Sequence, residues 1–279
     1  MGKDMSLSKI KTIAIAALLL INALFLAVII IDTAADARSE RLSLENAAAV
    51  LRNNGITVNS EDVKSAGTLR AMRTERGHEV EEAIAQAVLG SVEIRDMGVI
   101  IRYENSMSGF AEFYSAGDFE IQLREGAALN TRGALRTVQD LLSDMSIETS
   151  VISQTGLPGS EIVTAVAAFR GVSVFNCIIE FVFSGEGLAT ITGRYVTVIE
   201  VAEDSLAISS PGTALLGVLA AVRSGQIEIS RIESVEFGYH YRTIGPSGEG
   251  ELAPAWLISA DSGKYIVDGT TGEVEFVYV

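Results

Sequence analysis

The feature that most constrains this chain is its run over 12–31, TIAIAALLLINALFLAVIII, twenty residues without a charge. At 1.5 Å per helical residue, such a run matches the hydrocarbon thickness of a bilayer. It holds six Ile, five Leu, one Phe and one Val, which at roughly −0.4 kcal/mol each favour insertion by about 5 kcal/mol. Asn22 subtracts from that sum without reversing it. The run therefore predicts a single transmembrane helix. Lys3, Lys9 and Lys11 precede it, against Arg38 and Arg41 after it. That asymmetry makes 1–11 a cytoplasmic leader, 32–41 a juxtamembrane linker, and everything beyond an extracytoplasmic region on the cell membrane. A secretory signal peptide is the competing reading, because Ala35-Asp36-Ala37 has the small-x-small form of a cleavage site behind a basic leader. The apolar run exceeds the roughly 7 to 15 residues of a signal h-region, which favours a retained anchor.

The anchor inflates the 48% hydrophobic content, and the rest of the chain is long enough for one large domain or two to three small ones. No second run spans a membrane: 172–183 is broken by Ser173, Asn176 and Glu180 and alternates along its length. A formal charge of −15 argues against nucleic acid, whose phosphates require clustered Lys or Arg, and against lying flat on anionic lipid. The acids are scattered rather than blocked, as solubility alone requires. Cys177 is the only cysteine, so no internal disulfide forms and stability comes from packing. Its setting, VFNCIIEFVF, reads as a buried strand.

Three times the chain runs a helix-like segment into strands. In the first, Ser43 caps a helix carrying Leu44, Ala47, Ala48, Val50 and Leu51, and Asn53-Asn54-Gly55 stops it. In the second, Thr131 precedes Leu135, Val138, Leu141 and Leu142 at helical spacing. In the third, Ser210 caps, Pro211 fills the first turn, and Gly225 ends a helix bearing Leu215, Leu216, Val218, Leu219 and Val222. Period-two strands follow over 99–103, 109–114 and 118–123, then 147–152, 161–170, 172–183 and 188–201, then 227–243, 255–260, 264–267 and 274–277. A weaker helix is read at 80–89. The predicted fold class is α+β: one N-terminal transmembrane helix followed by repeated helix-on-antiparallel-sheet modules over 42–128, 129–205 and 206–279.

Residue types suited to catalysis are scarce. The two histidines, His78 in a polar stretch and His240 between Tyr239 and Tyr241, have no second ligand at metal spacing, and His240 reads as structural. No G-x-S-x-G elbow is present, and Ser247 lies in a glycine-rich loop without the Lys-Ser or Lys-Thr ending of a phosphate loop. The carboxylate pairs Glu81-Glu82 and Glu203-Asp204 are adjacent, so their side chains point apart and read as solvated surface. The expectation is no enzyme, no catalytic residue, no cofactor and no metal. Asn22 is different: an amide inside an apolar helix wants a partner, and a helix–helix contact gains about 1–2 kcal/mol from such a group. Ala16, Ala17, Ala23 and Ala27 permit close approach.

At both ends the chain resembles the YycH/YycI family, membrane-anchored regulators of a two-component system in Gram-positive bacteria. The start, Lys9-Ile10-Lys11-Thr12-Ile13 before a Leu-rich span, is similar to the family's leader and anchor. Val235-Glu236-Phe237-Gly238-Tyr239, Leu252-Ala253-Pro254-Ala255-Trp256, Lys264-Tyr265-Ile266-Val267-Asp268 and Thr271-Gly272-Glu273-Val274 are similar to its C-terminal strands. The last stretch also resembles a PepSY-type module, a short helix on a small antiparallel sheet. Pro254 reads as a strand entry and Trp256 as core beside the third helix, while Tyr239 and Tyr241 read as core or as an exterior interaction surface. The resemblance implies regulation without catalysis, through contacts with a sensor histidine kinase and a sister anchored protein. The alternative from a different class is a PepSY-type binding or protease-inhibitory module that captures a peptide or cell-wall fragment.

Overall fold

The computed structural model describes residues 7–58, 63, 69–124, 133–185, 187–202, 208–245 and 249–277, and within the first helix it describes side chains over 18–26 and from Arg38 onward. Lys3, Thr131, Glu203, Asp204 and Ser247 lie outside the described residues, as do the side chains of Lys9, Lys11, Ala35, Asp36 and Ala37.

Among the described residues there are four helices: α1 (Leu7–Asn53), α2 (His78–Leu89), α3 (Ala134–Asp144) and α4 (Pro211–Arg223). The capping signals of α4 work as its sequence suggests. Pro211 occupies the first turn and the Ser210 hydroxyl accepts from the Thr213 amide at 3.2 Å, satisfying a donor the helix leaves open. Helix α1, by contrast, does not begin at Ser43. It passes unbroken through 32–42, because that segment's Ala, Arg, Glu and Leu residues are good helix formers.

The first group of strands comprises β1 (Thr57–Val58), β2 (Met72–Glu75), β3 (Glu93–Asp96), β4 (Ile100–Asn105), β5 (Gly109–Tyr114) and β6 (Asp118–Leu123). After α3 come β7 (Thr149–Leu157), β8 (Ser160–Phe169), β9 (Val172–Ser184), β10 (Gly187–Arg194) and β11 (Thr197–Val201). The chain closes with β12 (Arg231–Thr243), β13 (Gly250–Ala260), β14 (Gly263–Asp268) and β15 (Val274–Val277).

An antiparallel array runs β3-β4-β5-β6-β10-β9-β8-β7, with α2 and α3 on one face. Ile84, Ala85, Val88, Val138 and Leu142 there pack on Ala111, Phe113, Ile121, Ile179, Phe181 and Ile191. A second array centres on the β12-β13 hairpin. Its core joins Ala47 and Leu51 of α1 and Leu215, Val218 and Leu219 of α4 to Val235, Trp256, Ile258 and Val267. Gly212 makes the α1–α4 contact possible, since a Cβ there would stand 2.9 Å from the Ser43 carbonyl oxygen. Strand β13 changes neighbours along its length, pairing β2 over Gly250–Leu252 and β14 over Ala255–Ala260. Pro254 sits at the changeover. Its carbonyl accepts from Gly269 on the β14 side, so the N–H it lacks faces the gap between two partners rather than a ladder.

These arrays are not separate modules. Strands β9 and β12 run parallel where Val174 faces Tyr239, β1 pairs β12 in parallel, and among the described residues fifteen strands form one mixed sheet. The expectation of repeated helix-on-antiparallel-sheet modules is corrected to one large mixed sheet accordingly. The physical reason is strand length: β9 and β12, at 13 residues each, are long enough to serve a helix-covered core and still reach across the junction.

The transmembrane expectation is also corrected. Among the described residues no helix is long and apolar enough to cross a membrane. Of the apolar run, the side chains of 18–26 are described. They form part of a 47-residue helix that continues into the sheet domain. The single-pass anchor and the cell-membrane localisation that rested on that span are therefore corrected together.

Candidate functional site

The junction between the arrays is where polar and charged side chains converge. Gly238 brings β12 against β9, because a Cβ there would lie 2.6 Å from the Phe175 ring and 2.7 Å from the Ser173 carbonyl. Two residues along β9 from Val174, Asn176 reaches the main chain of β12. Its Nδ2 donates to the Tyr241 carbonyl at 2.7 Å, and its Oδ1 accepts from the Tyr241 amide at 2.8 Å. Phe175, Ala255, Ile266 and Val277 seal the crossing with a small apolar cluster.

A groove of about 650 Å³ opens beside this crossing, between the outward face of β5, β6, β9 and β10 and the end of β15. Its walls include Asn176, Ile178, Glu120, Glu180, Arg194 and Glu275. Arg194 is committed to Asp118 by two hydrogen bonds of 2.8 and 3.1 Å, and its guanidinium lies 5.5 Å from the Tyr241 ring. On the other side of β15, a cavity of about 770 Å³ meets α4, His240, Arg242 and Asp268.

That cavity holds a compensated charge network. Arg242 places Nε and Nη2 at 3.1 and 2.9 Å from Glu251 Oε2, and Nη1 at 3.0 Å from Asp268 Oδ2. Asp268 Oδ1 accepts from the Thr270 amide, the Thr270 hydroxyl and the Thr271 amide. Burial pushes the Asp268 carboxyl up, but the hydrogen bonds from Thr270 and Thr271 and the charge of Arg242 together hold it below the usual range. His240 Nε2 stands 3.2 Å from Glu275 Oε2, while its Nδ1 is buried without a hydrogen-bond partner among the described residues. Burial lowers the His240 pKa against the opposing pull of Glu275 and Asp268. With its acids and bases already paired, the network fastens β12, β13 and β14 together. Among the described residues no group of three His, Cys, Asp or Glu side chains is placed to hold a metal ion.

The residues singled out in the sequence separate by environment. Tyr239 and Tyr241 are buried among the strand residues Met72, Ala167, Val174, Cys177 and Leu252, with the Tyr241 hydroxyl lacking a partner among the described residues. Trp256 is fully buried, donates its Nε1–H to the Ser209 carbonyl at 3.1 Å, and packs on Phe237. Cys177 is buried, and burial pushes its thiol up to about 12. Glu81 departs from its reading as solvated surface. It is buried in a two-point ion pair with Arg76, at 2.6 and 3.2 Å, and Arg76 also donates to the Phe113 carbonyl. Glu82 beside it is only partly buried.

Asn22 sits apart from this junction, on α1. Around it Leu18, Leu19, Leu20, Ile21, Leu24, Phe25 and Leu26 are 49% to 73% exposed. Four consecutive members, 18–21, cover the whole helix circumference at 100° per residue, so the apolar surface is a collar rather than a stripe. The signal in the sequence that could have found Asn176 and Glu81 is weak: each is a polar residue within an otherwise apolar pattern.

No protein-family model and no curated protein matches the sequence. The fold is similar to a crystal structure of an uncharacterized protein from Eubacterium rectale, with a TM-score of 0.51 and 9% identity, covering 80% of this chain and 90% of that one. At that identity the likeness is one of fold alone.

Proposed function

We propose that this protein is a non-catalytic regulatory adaptor that acts by binding another protein through α1, and that its partner is a sensor histidine kinase, the class implied by the resemblance of the chain ends. The observation that carries the reading is the exposed apolar collar over 18–26, with Asn22 at its middle. An apolar helical surface of this kind marks an interaction site, and Asn22 supplies a hydrogen-bonding group that fixes the register of a partner helix. Helix α1 is continuous from the collar to Leu51 in the core, so docking on the collar bears directly on the sheet domain about 40 Å away. Regulation needs no more than different affinities for two states of the partner. Co-purification of the full chain and its Asn22→Ala variant tests this. Recovery of a histidine kinase with the parent, falling with Asn22→Ala at equal expression, supports the reading, and equal recovery of the kinase with both proteins, or with neither, contradicts it.

A further inference from the structure

We propose that the cavity between α4 and β15 binds a small organic dication of the linear diamine class, with its aliphatic chain laid along α4. This goes beyond the adaptor reading and stands without it, because it uses a different surface.

Three observations meet there. The first is shape. One wall of the cavity of about 770 Å³ comes from the C-terminal half of α4, where Gly217, Ala220 and Ala221 present little beyond main chain, and Ile266 and Val274 continue that apolar surface. Side chains this small leave room for an aliphatic segment.

The second observation is charge. Among the described residues lining the cavity, Arg242 is the one permanent cation, and it is already shared between Glu251 and Asp268. Glu273 and Glu275 add two carboxylates at the rim. The last turn of α4 turns the negative end of its dipole to the same space. A cation is therefore favoured. Among the described residues no group of three His, Cys, Asp or Glu side chains is placed to hold a metal ion, so the acids suit an extended organic cation better than a point charge. Glu273, whose carbonyl accepts from the Asp268 amide, and Glu275 are alternate residues at the entry to β15. In extended chain such positions lie about 7 Å apart on one face, a span that two ammonium groups on a short chain can match.

The third observation is an unanswered acceptor. The His240 imidazole lines the cavity at 12% side-chain exposure, with Nε2 at 3.2 Å from Glu275 Oε2 and Nδ1 buried without a hydrogen-bond partner among the described residues. In the neutral ring Nε2–H donates to the carboxylate, which leaves Nδ1 as an acceptor. The partner it lacks is a donor, as an ammonium is.

The test is isothermal titration calorimetry of the full chain with 1,5-diaminopentane, 1,5-pentanediol and glutarate, which share a chain and differ in end-group charge. The diamine is expected to bind saturably, and the diol and the diacid not to bind. The double variant E273Q/E275Q, with an unchanged unfolding curve, should weaken the diamine by about tenfold or more. Ala220 is exposed on α4, so A220L leaves the core alone, projects into the cavity and should weaken the diamine as well. E120Q/E180Q removes the same charge from the groove on the other side of β15 and should leave the affinity within about twofold. Absence of diamine binding, or equal binding of the diol, would overturn the proposal. Equal losses in E273Q/E275Q and E120Q/E180Q would overturn the cavity as the site, and an unchanged affinity in A220L would overturn the placement along α4.

Discussion

Asn176 and Tyr241, 65 residues apart, are joined by two hydrogen bonds in which a side-chain amide takes the place of a neighbouring strand. This pair fastens β9 to β12 just beyond the point where their own ladder is reduced to the Val174–Tyr239 pairing. Replacing Asn176 with Ala leaves a main-chain donor and acceptor at the junction without partners, at a cost of about 2–3 kcal/mol. Urea unfolding followed by the emission of Trp256 should show a lower midpoint with an unchanged slope. A loss below about 0.5 kcal/mol would mean that water satisfies these groups equally well.

The Arg76–Glu81 pair is buried on both sides, at 9% side-chain exposure each. Removing one partner strands the other charge, so Glu81→Gln should destabilise by about 3 kcal/mol, and Arg76→Met/Glu81→Leu together should recover most of that. Equal losses in the single and double variants would show that Arg76 contributes chiefly through its bond to the Phe113 carbonyl.

His240 gives a pH dependence of defined sign. Burial lowers its pKa from the ordinary 6.5, opposed by Glu275 and Asp268. Below pH 6.5 the unfolded chain therefore binds a proton that the folded protein resists, and stability falls as pH drops toward the folded value. Above pH 6.5 the contribution is complete. His240→Gln should flatten the stability profile between about pH 7 and pH 5, and imidazole titration by NMR should return a value below 6.5.

Cys177 is buried, and its thiol is pushed up to about 12. Because only the thiolate reacts, labelling of the native protein by a maleimide at neutral pH should be slower than in urea by about a hundredfold or more. Comparable rates would mean that β9 opens readily at its centre.

Much of the fold was legible in local patterns. Ser210-Pro211 announces α4, and alternating residues such as Gly109–Tyr114 and Val274–Val277 announce strands at their observed bounds. Three features were not, each for a reason of distance. Ser43 has the chemistry of a cap, yet its hydroxyl lies 3.3 Å from that of Ser210 across two packed helices, a contact no local pattern encodes. Glu81 reads as surface until α2 places it on Arg76 and the Phe113 carbonyl. Pro254 resembles a strand start because the partner exchange that tolerates it depends on β2, a short strand formed by residues far away in sequence. The candidate sites divide in the same way: Asn22 and its apolar neighbours stand out in the sequence, whereas the groove exists only once β15 meets β6, β9 and β10.

The most direct test of the central claim is photocrosslinking in the native host from a benzoylphenylalanine placed at Phe25, inside the exposed collar, with a second probe at Leu157 on the edge of β7 as the comparison. The account predicts that the Phe25 probe captures a histidine kinase, that Asn22→Ala reduces that yield, and that the Leu157 probe does not capture it. Equal capture from both positions, or no kinase from Phe25, would contradict the claim that α1 is the docking element.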